Sequence, residues 1–239
     1  MPDNFYLNKL YPLQDEVLNL LTKPEVDFYL TGGTALSRYY LQHRYSDDLD
    51  FFVNDHPEFE KQCNTVISLF KQFTYKSEIT TTSDSFVRMM LTKDKIVLKI
   101  DLVNDVSAHF GDFINCRIFN RIDSWQNILS NKICAMSRRE VKDVVDMLFV
   151  AQKYEFNWEE IFIQAREKDL WVEPIEICRI LNEFPTNLIN KIKWIYKIDV
   201  AVIEQNLKII HNDIFYGNIN TLFKDRKEKG TINHSQFTI

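Results

Sequence analysis

Asp48 and Asp50, two acids separated by a single leucine, are the residues of this chain best suited to chemistry. They lie in the run Ser46-Asp47-Asp48-Leu49-Asp50-Phe51-Phe52, about one helix after Thr31-Gly32-Gly33-Thr34. Side chains two apart in a β-strand share a face, so Asp48 and Asp50 project together while Leu49 and Phe51 point the other way. Carboxylates that close repel one another unless a cation sits between them. Hard divalent ions such as Mg²⁺ bind oxygen ligands and complete their shells with substrate phosphates. A glycine pair where a strand enters a helix lets the backbone approach a ligand closely and adopt φ > 0. The helix that begins near Thr34, read as its N-cap, would then offer N–H groups and a positive dipole end to a phosphate. Either feature alone is weak evidence; their order and spacing read as a phosphate-and-metal site.

Further candidates flank this pair. Asp47 is turned by strand alternation to the opposite face and is left out of the metal site. Asp101 lies inside the apolar run Ile96-Val97-Leu98-Lys99-Ile100-Asp101-Leu102-Val103, where an acid must be paired or bind a cation. It reads as a third metal ligand or a general base, with an in-strand ion pair to Lys99 as the structural alternative. Farther on, Lys132, Met136, Arg139, Asp143 and Asp146 follow one another at steps of three and four. They would share a face of one unbroken helix, unless Ser137-Arg138-Arg139-Glu140 interrupts it. A solvated stripe of salt bridges would look the same. His43 and Arg44 precede the acidic cluster and could bind phosphate or simply face water. The segment from Lys191 to Lys197, with Trp194 and Tyr196 among three lysines, could hold nucleic acid by phosphate contact and stacking; an ordinary amphipathic helix is the better reading.

The elements that must carry these residues follow from periodicity. Apolar positions at helical spacing run from residue 5 to 22 and stop at Lys23-Pro24. A short strand from Phe28 to Thr31 leads into a helix from Thr34 to His43. A second strand runs from Leu49 to Val53 and an amphipathic helix from Pro57 to Tyr75. Lys76–Ser83, Phe86–Leu91 and Ile96–Val103 read as strands, the last two joined through Thr92-Lys93-Asp94-Lys95. Helical spacing dominates after Ser124. The chain therefore divides into an α/β part over residues 1–120 and a helical part over 121–223. The polar residues 224–239 read as a mobile tail.

Bulk composition narrows the class. The 239 residues, 45% hydrophobic and 26% charged, describe a folded globular chain, and only 5 glycines and 6 prolines tell against a loop-rich β-sandwich. A formal net charge of −5 tells against a broad grip on nucleic acid, though not against a local basic groove. The cysteines, Cys63, Cys116, Cys134 and Cys178, are widely spaced, with no CxxC or zinc pattern; Cys134 and Cys178 read as buried thiols. No signal peptide or membrane-spanning run is visible, so a cytoplasmic protein with no membrane partner is expected.

Taken together, the pieces resemble the AbiEii/AbiGii toxin family of nucleotidyltransferases, within the DNA polymerase β-like superfamily. The resemblance rests on Leu30-Thr31-Gly32-Gly33-Thr34-Ala35-Leu36, on His43-Arg44-Tyr45-Ser46-Asp47-Asp48-Leu49-Asp50-Phe51-Phe52, and on the later lysine and aspartate segments. It is good over residues 25–150. Lys142-Asp143 stands where an Arg-Asp pair is more usual. The resemblance implies an α/β (α+β) fold: a minimal nucleotidyltransferase mixed sheet flanked by helices, followed by a helical C-terminal lobe. It also implies Mg²⁺ or Mn²⁺, an NTP donor, a tRNA or other RNA acceptor, and a cognate antitoxin protein. By position, Gly32, Gly33 and Thr34 would face the triphosphate, with Arg44 and Ser46 of the second block beside them. Asp48 and Asp50 would be metal ligands and Asp101 the third acid. Lys132 matches the lysine of a third motif, and Asp143 and Asp146 the acids of a fourth. The implied activity is metal-dependent transfer of a nucleotide, within a type IV toxin–antitoxin or phage-defence system. Its rivals are a catalytically silent nucleotide-binding module and an antibiotic-type small-molecule nucleotidyltransferase.

Overall fold

The computed structural model describes residues 2–73 and 75–223; the stretch read above as a tail, 224–239, lies outside them. Helical structure begins with α1 (Pro2–Phe5), passes through a π-helical stretch Tyr6–Leu10 and continues as α2 (Tyr11–Leu21). Leu10, Leu13, Val17, Leu20 and Leu21 are all buried, as their helical spacing requires. Strand β1 (Tyr29–Thr31) runs directly into α3 (Gly32–Ala35) and a further π-helical stretch, Leu36–Leu41. Gln42, in the left-handed region with φ 51°, closes it. Strand β2 (Leu49–Asn54) and helix α4 (Phe59–Lys71) follow, then the antiparallel strands β3 (Lys76–Ser83), β4 (Phe86–Lys93) and β5 (Ile96–Asp105). The β4–β5 turn is only two residues long. Asp94 and Lys95 both have positive φ, 49° and 67°, as a tight hairpin matched to strand twist demands.

The strands form one mixed sheet in the order β1-β2-β5-β4-β3. Only the β2–β5 pair is parallel. One face is a continuous apolar layer: Leu49 and Phe51 of β2, Leu98, Ile100 and Leu102 of β5, and Met89 and Leu91 of β4 are all 0% exposed. Each such side chain contributes about 1.5–3 kcal/mol of burial. A slip of one residue in β2 would send Leu49 and Phe51 to the other face and Asp50 into the apolar layer, so the core itself fixes the direction of the acids.

Beyond β5 the chain is mainly helical: α5 (Trp125–Ala135), a 3₁₀ turn Met136–Arg138, α6 (Val141–Lys153), α7 (Trp158–Lys168), α8 (Pro174–Asn182), a 3₁₀ segment Thr186–Lys191 and α9 (Val200–Tyr216). Asn157 and Asp199 cap α7 and α9 through their side chains. Residues up to Ile128 together with Lys193–Tyr196 form one compact unit, and Leu129–Ile192 with the residues from Lys197 onward form another. The amphipathic helix expected from Lys191 to Lys197 is absent. The stretch from Lys193 to Tyr196 instead lies extended against His43–Tyr45: Tyr45 N–H donates to the Lys193 carbonyl at 2.7 Å and Ile195 N–H to the His43 carbonyl at 3.1 Å. Ile192, Trp194 and Tyr196 alternate with Lys191, Lys193, Ile195 and Lys197, a mixture of β-branched and aromatic residues that suits an extended chain better than a helix. The four cysteines are free; Cys178 is buried as expected, whereas Cys134 is half-buried.

Candidate active site

The acids come together through strand register. Across the sheet, Thr31 of β1 stands opposite Asp50 of β2, Asp50 opposite Asp101 of β5, and Asp101 opposite Arg88 of β4. Opposed residues share a face, so these four side chains form one transverse row on the face away from the apolar layer. Asp48 sits just before β2, on the same side as Asp50. Lys99, two residues before Asp101, reaches it: the Lys99 ammonium lies 2.7 Å from an Asp48 carboxylate oxygen and 3.8 Å from Asp101. Arg88 grips Asp101 with two parallel hydrogen bonds, Nε and Nη2 each 2.8 Å from a carboxylate oxygen. The in-strand pairing with Lys99 weighed from sequence is thus the longer contact, and the cross-strand arginine the close one.

This concentration of negative charge is visible in the cations it holds. Burial works against the Lys99 ammonium, but the Asp48 carboxylate, with Asp101 and Asp50 behind it, overrides that and keeps its pKa above the ordinary lysine value. Arg88 is likewise raised, first by its hydrogen bonds to Asp101. Asp47 belongs to a different set of contacts. It accepts hydrogen bonds from the Tyr6 hydroxyl at 2.5 Å and from Lys193 at 2.8 Å.

The glycine pair is packed against this row. Gly32 has φ +69°, and a Cβ there would fall 2.5 Å from the Asp50 carboxylate oxygen. A Cβ on Gly33 would fall 2.6 Å from the Arg44 guanidinium and 3.3 Å from the Ser46 hydroxyl. Any larger side chain would push apart the groups beneath. Arg44 is buried and anchored by its hydrogen bond to the Tyr45 carbonyl at 3.1 Å.

Thr34 is not the N-cap. The cap position is Thr31, because the strand passes into the helix with no loop between them and the helix starts at the glycines themselves. Thr34 lies inside it, 0% exposed. Its hydroxyl donates to the Asp48 carbonyl, with the Ser46 hydroxyl 2.9 Å away. It fixes the backbone that presents Asp48.

Lys132, Asp143 and Asp146 form a second cluster, in the helical unit. The helix is interrupted, with Arg139 at φ 55° between α5 and α6, yet Lys132 still meets both acids at 2.7 Å. Arg138 adds a contact of 3.3 Å to Asp143. Both carboxylates are 0–1% exposed in their side chains.

A five-stranded mixed sheet with helices, acids projecting from one face and a glycine turn beside them, is the layout of a nucleotidyltransferase fold. Solved structures agree. A candidate nucleotidyltransferase of H. pylori has 17% identity and a TM-score of 0.61, the match covering 92% of this chain and 96% of that one. JHP933 of Helicobacter pylori has 19% identity and a TM-score of 0.58 over 92% and 94%. The family model for the nucleotidyl transferase AbiEii toxin of type IV toxin–antitoxin systems matches residues 21–195. The chain belongs to that family. No curated protein sequence matches it.

Three residues with evident roles in this region escaped the sequence reading: Arg88, Asp123 and Trp194. Trp194 stands opposite Arg44 in an antiparallel bridge. The signal for Arg88 was present, because counting outward from a two-residue turn at Asp94-Lys95 brings Arg88 opposite Asp101.

Proposed function

We propose that the protein transfers a nucleotide from an NTP to the hydroxyl of an acceptor, with structured RNA such as tRNA as the acceptor class, in a divalent-cation-dependent reaction. The observation that carries this is the carboxylate row: Asp50 and Asp101 in register on adjacent strands, with Asp48 beside them and the glycine turn packed on Asp50. The donor set suits a hard cation. Asp48 and Asp50 offer neighbouring oxygens, and the ammonium of Lys99 already occupies the place where positive charge is needed. Among the described residues no three His, Cys, Asp or Glu side chains converge as a complete metal cage. Mg²⁺ does not need one, since it is commonly held by one or two carboxylates and by substrate phosphates. Asp48 and Asp50 would hold the cation, and bound there it would offset charge on the donor's phosphates and on the attacking oxygen.

The chain's own residues do the rest by positioning. The Gly32-Gly33 backbone would lie along the triphosphate, with Arg44 held beneath Gly33 and Ser46 and Thr34 bracing the Asp48 backbone. The acceptor hydroxyl attacks the α-phosphorus, its proton passes to a base, and pyrophosphate leaves with the electrons of the broken P–O bond. Asp101, oriented by Arg88, is the third acid of the row and the residue placed to take that proton or to add an oxygen ligand. Lys132 would support charge on the phosphates, a role taken from the family resemblance, with Asp143 and Asp146 acting through it. A cytoplasmic setting and an antitoxin partner belong to the same reading; among the described residues no helix is long and apolar enough to cross a membrane.

Labelled NTPs incubated with Mg²⁺ and total RNA provide the test. Label on RNA that disappears with Asp48→Ala supports the proposal. NTP binding with no transfer to RNA or to any small acceptor would instead make the protein a nucleotide-binding module.

A further inference from the structure

Thr31 occupies the cap position of α3, yet its side chain makes no capping hydrogen bond. A threonine there ordinarily turns its oxygen toward the first free N–H groups of the helix. Here the hydroxyl is donated the other way, to the carboxylate of Asp123 at 2.5 Å. Asp123 is 0% exposed. Its carboxylate also accepts from Asn127 Nδ2 at 2.9 Å and lies 2.9 Å from His109 Nε2. Its backbone is fixed as well: the N–H donates to the Leu30 carbonyl at 2.9 Å, and its carbonyl accepts from the Tyr40 hydroxyl at 2.6 Å. A carboxylate buried this deeply is costly unless its oxygens are satisfied, so its partners are held firmly.

The position of this network matters more than its strength. Thr31 is one strand away from Asp50 in the transverse row and immediately precedes Gly32. While Asp123 holds the threonine hydroxyl, the side chain that would fold over the glycine turn is drawn to the outer edge of the sheet.

We infer that Asp123 is a positioning residue for donor binding. It diverts the Thr31 hydroxyl from the cap position and so keeps the Gly32-Gly33 turn open to the donor's phosphate oxygens, without touching the donor. Asn127 and His109 hold Asp123 in place for this. The inference rests on the nucleotide-transfer reading above.

The test uses the full chain and a fluorescent NTP analogue with Mg²⁺. Thr31→Val removes the donated hydrogen while keeping the shape, and Thr31→Ser keeps it. Thr31→Val is expected to weaken NTP binding about tenfold, the scale of one lost hydrogen bond to a charged group. Its kcat at saturating NTP should stay within about threefold, and Thr31→Ser should bind within about twofold of wild type. Asp123→Asn, which preserves volume and one acceptor oxygen, serves if Thr31→Val does not fold, and should weaken binding about threefold. Wild-type affinity in the folded variants, however far their Tm falls, overturns the inference and leaves Asp123 a stabilising residue. A wild-type protein that binds no NTP overturns the transfer reading itself, and this inference with it.

Discussion

Two lysines in this protein each hold a pair of carboxylates, and they do so in opposite environments. Lys99 meets Asp48 closely and Asp101 at longer range on a sheet face where Asp48 and Lys99 are each more than a quarter exposed. Lys132 meets Asp143 and Asp146 at 2.7 Å where both acids are sealed from water. In the first cluster solvent and a competing cation can replace the lysine at little cost. In the second, removing either sign of charge strands the other in a low-dielectric interior, where the penalty is large. The same residue types therefore serve exchange in one place and rigidity in the other.

Mutations can break or sharpen that contrast. The largest effect is expected from Asp48→Ala and Asp50→Ala: loss of transfer by about four orders of magnitude, on the scale of removing the principal charge-stabilising groups of an active site. Their Tm should not fall, because each substitution relieves repulsion within the row; a marked fall would mean these acids are structural. Next is Lys132→Met, which leaves Asp143 and Asp146 buried without a counter-ion. A loss of about 3–5 kcal/mol in urea unfolding is expected, and a loss below about 1 kcal/mol would place that cluster in the exchangeable class. Gly32→Ala combines a positive φ with a 2.5 Å clash on Asp50, so about 1–3 kcal/mol should be lost from transfer. Full activity in that variant would show that the turn is not seated on the acid. The smallest effect is Lys99→Met, which should tighten Mn²⁺ binding without nucleotide about tenfold by removing the resident positive charge. Calorimetry reads this directly, and weaker binding would contradict the view of Lys99 as a stand-in cation.

Much of this was legible in the residues. The alternation of Leu49, Phe51 and Val53 against Asp48 and Asp50 announces both the strand and the face of its acids, because burying the apolar set leaves the acids only one side. The mixed sheet and the helical second half follow from periodicity in the same way. What stayed hidden required register. Reading the β4–β5 turn as four residues, Thr92 to Lys95, instead of two sets Phe86 opposite Asp101 and conceals Arg88. Thr34 was mistaken for the cap because no loop residues separate the strand from the helix, so the boundary falls three residues earlier. Asp123 could not be found at all, since its importance comes from Ile122 lying beside Leu30, a long-range pairing that no local pattern encodes. Lys193–Tyr196 hid for the same reason.

That returning segment has a consequence for how the protein is made. The sheet-bearing unit runs to Ile128 but is finished only when Lys193–Tyr196 is laid against His43–Tyr45. On a ribosome adding roughly 5–20 residues per second, domains formed from one continuous stretch can fold as soon as they emerge. This one must wait for residues more than sixty positions downstream of its apparent end. A nascent chain of this toxin family would thus leave the ribosome's exit before its transferase half could be whole, and translation cut short in the helical region would release a product with its first unit incomplete.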